Sequence, residues 1–461
     1  MQADGSVAEG AETRARHVAR FQEIAAELRA RIDWPAQRLR DERTRALRAL
    51  VATAVERSPW HRRRLSGIDV DSLTEADIVR LPTMTKSDLM DNFDEIVTDP
   101  RVTLDMCEAV VDGRHGGDYL LGEYRVVASG GSSGRRGLFV YGWDAWAMCY
   151  ASIVRFQQRD WNSDPTLADV ARVTAVLGAA GGAHMSAALG RTFTSDDNPR
   201  HAVPVDQPIE AIVARLNELN PTILMGYSSF LPTVAREADA GRLRISPRRV
   251  VAISEPLLPE ARAMIERTWG APVANGYGMS EGVFTGACGQ SVHLPDDLCI
   301  VEPIDSNGRP AGPDEPGCGV LITNLYNPLL PSIRYEVSDE LNVLDGTCPC
   351  GSAMTRIADP LGRTDDVFTF GDSIVAHPHV FRSVLAHPGI TEYQVRQADR
   401  GAHIRIVATQ VDRSVLQHEL EHKLAGLGLA EPRVTVEHVD AIERLPTGKL
   451  QRFVPRRPAT T

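Results

Sequence analysis

The sequence has no long hydrophobic run, and its basic residues are spread along the chain rather than clustered. Its longest uncharged stretch, residues 173–190, contains four glycines and His184, which predicts a buried strand and a glycine-rich loop rather than a membrane span. The polar N-terminus lacks the apolar segment of a signal peptide. The net charge of −11 argues against a nucleic-acid or anionic-membrane partner, because such partners select clustered Lys and Arg.

Cysteine is also scarce, with seven residues in 461. An odd number of cysteines in a long chain without a signal segment predicts free thiols in a reducing cytoplasm. The fractions of hydrophobic (43%) and charged (24%) residues are typical of a water-soluble globular protein. Because the chain exceeds the length of one ordinary domain, we expect at least two lobes.

The periodicity of the apolar residues changes along the chain. Helical spacing over residues 13–32 and 38–56 predicts two amphipathic helices. From about residue 119 strands and helices alternate, which predicts a mostly parallel α/β sheet. Short strands between turn signals in 298–345 predict a β-rich subdomain. We therefore predict an α/β fold with a large N-terminal domain (1–361) and a small, mobile α+β C-terminal domain (362–461).

A glycine- and serine-rich segment, residues 129–137, lies between two predicted strands. Glycine lets backbone N–H groups approach an anion closely and the hydroxyls add donors, so the loop could hold phosphate. It is not a Walker P-loop, because the glycine spacing differs and no Lys-Ser/Thr pair follows. A plain hairpin turn is the alternative for this segment taken alone.

Four further segments carry chemical groups at strand ends or in loops. Residues 275–282 (NGYGMSEG) offer a Tyr ring that can stack on a purine and a hydroxyl–carboxylate pair that can hold phosphate and Mg²⁺. Residues 333–339 end in a carboxylate that can accept both ribose hydroxyls. Residues 362–366 (GRTDD) and 445–450 (LPTGKL) complete the set. Each segment alone also fits an ordinary turn or a solvated side chain.

Together and in this order, the five segments resemble the core motifs of the adenylate-forming (acyl-activating) superfamily, within it the phenylacetate–CoA ligase-like branch. The resemblance begins near residues 58–65 (SPWHRRRL) and covers nearly the whole chain. It implies ATP- and Mg²⁺-dependent activation of a small aryl or short-chain carboxylic acid as acyl-AMP, with release of pyrophosphate. Transfer of the acyl group to an acceptor, with the CoA thiol as the main expectation, would follow.

The resemblance also implies a role for each matching residue. The nucleotide-binding set comprises Ser129, Gly131, Ser132, Ser133, Gly134, Ser254, Glu255, Pro256, Asn275, Gly276, Tyr277, Asp339 and Arg363. Ser280 and Glu281 would face the phosphates, with Glu281 as the Mg²⁺ ligand. Asp365 would be the hinge between domains, and Lys449 would bridge the acyl carboxylate and the α-phosphate.

The acyl pocket is expected between residues 178–186, 227–230 and 275–277. Its predicted wall residues are His184, Tyr227 and Gly278. The small residues of the first stretch leave room for an aryl or short acid. His184 has two interpretations, a contact to the carboxylate or a hydrogen-bonded structural histidine.

Two segments depart from the family pattern. The phosphate loop ends in Arg135-Arg136 where Lys-Pro is usual, and residues 368–381 differ from the run that helps bind the thiol acceptor. An amine, the thiol of a separate carrier protein or a non-carboxylate oxyacid therefore stay open as alternatives. A non-catalytic nucleotide-binding relative is a further alternative, against which Lys449 and Glu281 argue. A homodimer is compatible with the sequence.

Four residues suggest a metal site: Cys288, His293, Cys348 and Cys350. Three thiolates and one imidazole satisfy tetrahedral zinc. The Cys-x-Cys spacing is not the usual Cys-x₂-Cys knuckle, so unligated thiols in turns are the alternative. Similar segments in the phenylacetate–CoA ligase-like branch imply a structural zinc.

Overall fold

The structure, a computed structural model, describes residues 2–115, 118–129, 136–178, 185–194, 199–289, 291–305, 308–313, 315, 317–360, 366–371, 374–376, 378–385, 387, 389–445 and 448–456. No helix within these ranges is long and apolar enough to cross a membrane.

The α-helices of the described residues are α1 (Gln2–Ala30), α2 (Ala36–Arg57), α3 (Pro59–Arg64), α4 (Lys86–Asp91), α5 (Phe93–Ile96), α6 (Leu104–Val111), α7 (Trp143–Ser163), α8 (Met185–Phe193), α9 (Ile209–Leu219), α10 (Leu231–Asp239), α11 (Pro259–Trp269), α12 (Pro378–Leu385) and α13 (Arg413–Gly426). The two predicted N-terminal helices are confirmed as α1 and α2. Helix α1 begins earlier than its apolar periodicity indicated.

The strands are β1 (Arg125–Ala128), β2 (Leu138–Tyr141), β3 (Thr174–Gly178), β4 (Arg200–Pro204), β5 (Ile223–Tyr227), β6 (Arg249–Ile253), β7 (Val273–Gly276), β8 (Gly286–Ala287), β9 (Val292–His293), β10 (Cys299–Ile304), β11 (Gly319–Asn324), β12 (Tyr335–Val337), β13 (Val343–Leu344), β14 (Arg356–Ile357), β15 (Phe368–Phe370), β16 (Ile374–Ala376), β17 (Ile390–Ala398), β18 (Gly401–Ala408), β19 (Arg433–His438) and β20 (Phe453–Val454).

A five-stranded parallel sheet, in the order β4-β3-β5-β6-β7, forms the centre of the larger part of the chain. All five residues of β5 are buried, as expected for a parallel strand covered on both faces. Helices α9, α10 and α11 pack on one face through residues such as Leu216, Val234 and Ile265. On the other face, Trp161 of α7 packs with Met225 and Val251. The sheet's carboxyl edge and this α7 face are therefore available to build a site.

Smaller antiparallel sheets follow the parallel one. Strands β10-β11-β12 form one sheet, and β13-β14-β9-β8 form another. Near the C-terminus the sheet β19-β18-β17-β20 packs with α12 and α13 around a core of its own that includes Phe381, Ile404 and Leu420. The predicted α/β fold class is confirmed. The boundary at 361/362 and the hinge at Asp365 stay predictions, because residues 361–365 lie outside the described ranges.

Candidate active site

A cavity of about 680 Å³ opens at the carboxyl edge of the parallel sheet. It is lined by residues from widely separated parts of the sequence. Eight of the predicted site residues are among them: Ser129, Ser254, Gly276, Tyr277, Gly278, Ser280, Glu281 and Lys449. Loops after parallel strands meet at this edge, which is where ligands bind in open α/β sheets.

The segment after β7 forms a tight hairpin on the cavity wall. The Tyr277 backbone N–H donates to Thr285 Oγ1 (3.2 Å), and the Thr285 N–H donates to the Tyr277 carbonyl (3.0 Å). A side chain at Gly278 would place its Cβ 2.5 Å from the Phe284 ring, so only glycine fits without displacing that ring. The hairpin thereby fixes the intervening Glu281, whose side chain lines the cavity although the residue is only 8% exposed.

Two predicted nucleotide-binding residues contact each other. The Tyr277 hydroxyl donates to Asp339 Oδ2 at 2.8 Å, and Asp339 follows the short strand β12. Asp339 itself is buried, whereas its neighbour Ser338 lines the cavity. This contact fixes the Tyr277 ring at the wall and holds a carboxylate beside it, an arrangement suited to a nucleoside.

Lys449 reaches the cavity from a loop close to the C-terminus. The Lys449 carbonyl accepts from the Leu445 N–H (3.0 Å), which closes the loop. The Glu255 carboxylate then attaches this loop to the larger part of the chain: Oε1 accepts from the Leu450 N–H (2.8 Å), and Oε2 accepts from the Ser229 N–H (2.9 Å). Glu255 therefore holds the lysine loop against the segment after β5.

A largely buried ion pair supports the same junction. Arg444, which precedes the lysine loop, pairs with Glu392 of β17 and donates to Ser229 Oγ at 3.1 Å. Burial raises the pKa of Glu392, and the charge of Arg444 opposes that rise. Backbone hydrogen bonds to Glu255 and the charged contacts of Arg444 thus both attach the lysine loop to the larger part of the chain.

We expect Glu255→Gln to reduce about tenfold the acid-dependent pyrophosphate release that the resemblance implies. An amide keeps one neutral acceptor oxygen, so one of the two backbone N–H groups loses its acceptor and the other loses a charged one; a hydrogen bond to a charged group contributes about 1.5–3 kcal/mol. The measurement is the rate of pyrophosphate release, compared with that of Glu260→Gln, an exposed position on α11. A Glu255→Gln enzyme as fast as the control would show that the Glu255 contact does not hold the lysine loop during this reaction.

Other predicted residues lie away from the cavity. Asn275 is buried and donates to Asp359 Oδ1 at 3.0 Å, a contact that anchors β7. Tyr227 is fully buried in the core shared with Leu224 and Val250 and is not among the lining residues. Pro256 does not line the cavity either. Seven further residues with predicted roles lie outside the described ranges: Gly131, Ser132, Ser133, Gly134, His184, Arg363 and Asp365.

Several lining residues had no role in the sequence prediction. Thr85, Lys86 and Ser87 reach the cavity from the start of α4. Thr85 caps that helix, because its hydroxyl accepts from the Asp88 N–H at 3.0 Å and Asp88 reciprocates. The capping pattern is readable in the sequence, but it signals a helix start and not a site. Arginines 200 and 249 also line the cavity and were not predicted.

The four predicted metal ligands lie together beside α7. Cys288 Sγ is 3.6 Å from Cys348 Sγ and 3.3 Å from His293 Nε2, and Cys350 Sγ is 3.5 Å from the same nitrogen. All four ligand atoms lie within 4.8 Å of one another. With the usual Zn–S and Zn–N lengths, tetrahedral geometry gives ligand separations of about 3.6–3.8 Å. The cluster therefore has the size and donor set of a zinc site.

The surroundings orient the imidazole of this cluster. His293 Nδ1 contacts the Met354 carbonyl at 3.1 Å, which directs Nε2 to the thiols. The ring stacks on Phe156 of α7 with a centroid distance of 4.9 Å. Burial lowers the pKa of His293, which favours the neutral imidazole that binds metal.

Known proteins are similar to this chain in sequence and in fold. No family model matches the chain. It is 24% identical over 440 residues to the phenylacetate–coenzyme A ligase of Aromatoleum evansii, covering 88% of this chain and 92% of the relative. It is 26% identical over 459 residues to the phenylacetate–coenzyme A ligase of Thermus thermophilus, covering 91% and 95%.

Among solved structures, the fold is similar to that of 2-hydroxyisobutyryl-CoA ligase. The postadenylation state of that enzyme, in complex with R3-HIB-AMP, gives a TM-score of 0.70 at 19% identity, covering 93% of this chain and 91% of the other. Its open conformation, with 2-HIB-AMP and CoA, gives a TM-score of 0.57 at 18% identity, with 93% of each chain covered.

The fold, the convergence of predicted site residues on one cavity and the sequence relatives point to one class of protein. The chain is similar to adenylate-forming ligases in sequence and in fold. Within that class it is similar to phenylacetate–coenzyme A ligases along about nine tenths of its length.

Proposed function

We propose that the chain activates a small carboxylic acid in two half-reactions at this cavity. In the first, a carboxylate oxygen attacks the α-phosphorus of ATP, the bond to the pyrophosphate oxygen breaks, and acyl-AMP and pyrophosphate form. In the second, the sulfur of the CoA thiol attacks the acyl carbon, a thioester forms and AMP leaves.

One observation carries the proposal: Ser129, Tyr277, Glu281 and Lys449 converge on one cavity from positions spread over 321 residues of sequence. A carboxylate and ATP repel each other, so adenylation requires positioning and compensation of charge at the α-phosphate. The Lys449 ammonium can provide a positive charge there on a long stem. Tyr277, fixed by Asp339, can stack on the base.

Mg²⁺ has suitable oxygen donors in the same wall. Glu281 is a buried carboxylate that lines the cavity, and Ser280 precedes it with a hydroxyl. Bound there, Mg²⁺ would neutralise charge on the phosphate oxygens of ATP. The Tyr141 hydroxyl donates to the Ser280 carbonyl at 2.6 Å and holds this part of the wall in place.

CoA is the acceptor we propose, because both curated relatives are CoA ligases. The departure in residues 368–381 leaves an amine or a carrier-protein thiol as the second candidate. For the second half-reaction we propose that residues 362–461 rotate about Asp365, which would withdraw Lys449 from the cavity. We propose the cytoplasm as the compartment, where ATP and CoA occur and thiols stay reduced.

We also infer that Cys288, His293, Cys348 and Cys350 hold a structural zinc. A closed set of four protein ligands leaves no position for a substrate, so the metal would stabilise the fold and take no part in the reaction. The site connects the segment before β14 with α7 and the N-terminal helices, through the core that includes Ile32, Leu39 and Phe156.

The test of the proposed function is a screen for pyrophosphate release with ATP, Mg²⁺ and panels of aryl, fatty and amino acids. We expect one class of acid to raise release at least tenfold over the rate without acid, and CoA to lose its free thiol in equal amount. No stimulation by any acid would favour a non-catalytic nucleotide-binding relative. Stimulation without loss of the CoA thiol would favour an amine or carrier protein as acceptor.

A further inference from the structure

The cavity extends well beyond the residues assigned to the nucleotide. Its deeper part runs between one face of the parallel sheet and one face of α7. Helix α7 contributes Tyr150, Ile153 and Gln157, spaced three and four residues apart and therefore on one side of the helix. The sheet contributes Met225 of β5 and alternate residues of β6. These walls are largely apolar, as expected for an acyl pocket.

Two arginines mark the far end of this pocket. The strand register places Arg200 of β4 opposite Thr174, Thr174 opposite Ile223, and Ile223 opposite Arg249 of β6. Both arginines thus lie at the same level, at the amino ends of their strands. Ser254, on the nucleotide side, lies five residues farther along the chain than Arg249, a distance of roughly 16 Å at the usual rise per residue of a strand.

The head group of Arg200 reaches across the sheet towards Arg249. Its Nη2 lies 3.7 Å from Met225 Sδ, and Nη1 donates to the Tyr150 hydroxyl at 3.1 Å. Met225 belongs to β5, the strand next to the one that carries Arg249. The two side chains therefore approach the same end of the pocket from opposite sides.

Three buried donors at this end have no acceptor among the described residues: Nε of Arg200, Nε of Arg249 and the side-chain nitrogen of Gln157. Leaving a buried donor unpaired costs about 1–3 kcal/mol, and more when the group is charged. All three residues line the cavity, so a small movement of these side chains would let a ligand in the pocket supply the missing acceptors.

Arg200 lacks an ion-pair partner at this end: in the described part of the chain, which leaves out residues 195–198, no carboxylate lies within 4 Å of it. Arg249 lies 3.9 Å from Asp160, and Asp160 is shared with Arg159 at 3.5 Å. Burial lowers the pKa of Arg249, and Asp160 and Asp164 oppose that shift. A guanidinium stays protonated in proteins, so Arg200 brings to this end a positive charge that no carboxylate of the described residues pairs within 4 Å.

We propose that the activated acid carries a second carboxylate, bound at this end by Arg200, Arg249 and Gln157. The inference rests on the proposed function, since the other carboxylate is the one adenylated near Lys449. Because the Lys449 end and the arginine end of the pocket are well separated, an aryl ring or several methylenes must join the two carboxylates of the acid. Carboxylates are the acceptors that match the planar fork of a guanidinium, and one added negative charge would balance the unpaired arginine.

The experiment compares acids matched in shape that differ only in the distal group: 4-carboxyphenylacetate with phenylacetate, and adipate with hexanoate. We expect kcat/KM for pyrophosphate release to be about 10- to 100-fold higher for the diacid of the preferred pair, the range of one or two charge-assisted hydrogen bonds. Arg200→Met should reduce this selectivity ratio by about the same factor. Arg248→Met, an exposed neighbour of Arg249, is the matched control and should keep the ratio.

The outcomes separate the two claims. Activity with monoacids at a selectivity ratio near one, or equal loss with both acids in Arg200→Met, would overturn the distal carboxylate site and leave the proposed function standing. No pyrophosphate release with any acid would reject the proposed function itself. If Arg200→Met does not fold, as judged by its thermal transition, Gln157→Leu takes its place with the same expected fall in the ratio.

Discussion

Lys449→Ala should release pyrophosphate about 10²–10³-fold more slowly than the wild type in the presence of acid and ATP, the usual effect of removing one preorganised group that stabilises transition-state charge. The Lys449 side chain lines the cavity, and its loop is attached to the larger part of the chain by Glu255. The ammonium should therefore act on the α-phosphate only while this contact is made. Single-turnover measurement of pyrophosphate gives the rate directly.

The same variant should still transfer acyl groups from chemically supplied acyl-AMP to CoA, because in the proposed second half-reaction the rotation of residues 362–461 withdraws Lys449 from the cavity. The sequence offers a clear control: it contains only three lysines, at positions 86, 423 and 449. Lys423 is exposed on α13, so Lys423→Ala should leave both half-reactions at wild-type rates. Near-normal pyrophosphate release by Lys449→Ala would reject the assignment, and equal loss in both half-reactions would assign Lys449 to docking.

Local sequence patterns predicted much of the fold. The strands β3, β5 and β6 and the helices α9, α10 and α11 were readable because each is an uninterrupted apolar or amphipathic run bounded by turn residues. The metal cluster was also predictable from residue type, although its four ligands approach each other only through the pairing of β9 with β14.

The features that were not predicted depend on contacts between distant segments. Arg200 and Arg249 are ordinary first residues of strands in the sequence, and only the register across β3 and β5 brings them to one pocket end. Glu255 belonged to a turn assigned to the nucleotide by resemblance. Its carboxylate instead binds two backbone N–H groups, one of them 195 residues away. No local pattern encodes such contacts.

The metal site gives the last prediction, in which Cys350→Ser should lose the bound zinc and destabilise the protein. Elemental analysis of the wild-type protein, purified without chelators, should give one zinc per chain. A closed four-ligand site contributes its binding free energy to folding. We therefore expect the free energy of unfolding to fall by about 4 kcal/mol or more, the range typical of lost metal sites.

The chemistry should be affected less than the stability, because none of the four ligands is among the residues that line the cavity. Measured at low temperature, where the variant stays folded, pyrophosphate release by Cys350→Ser should remain within a few-fold of wild type. Cys318→Ser, at a half-buried cysteine outside the cluster, should keep both the zinc and the stability. Absence of stoichiometric metal from the wild type would contradict the site. A disulfide between Cys288 and Cys348 in the unreduced protein would contradict it as well, because an oxidised pair cannot supply two thiolates.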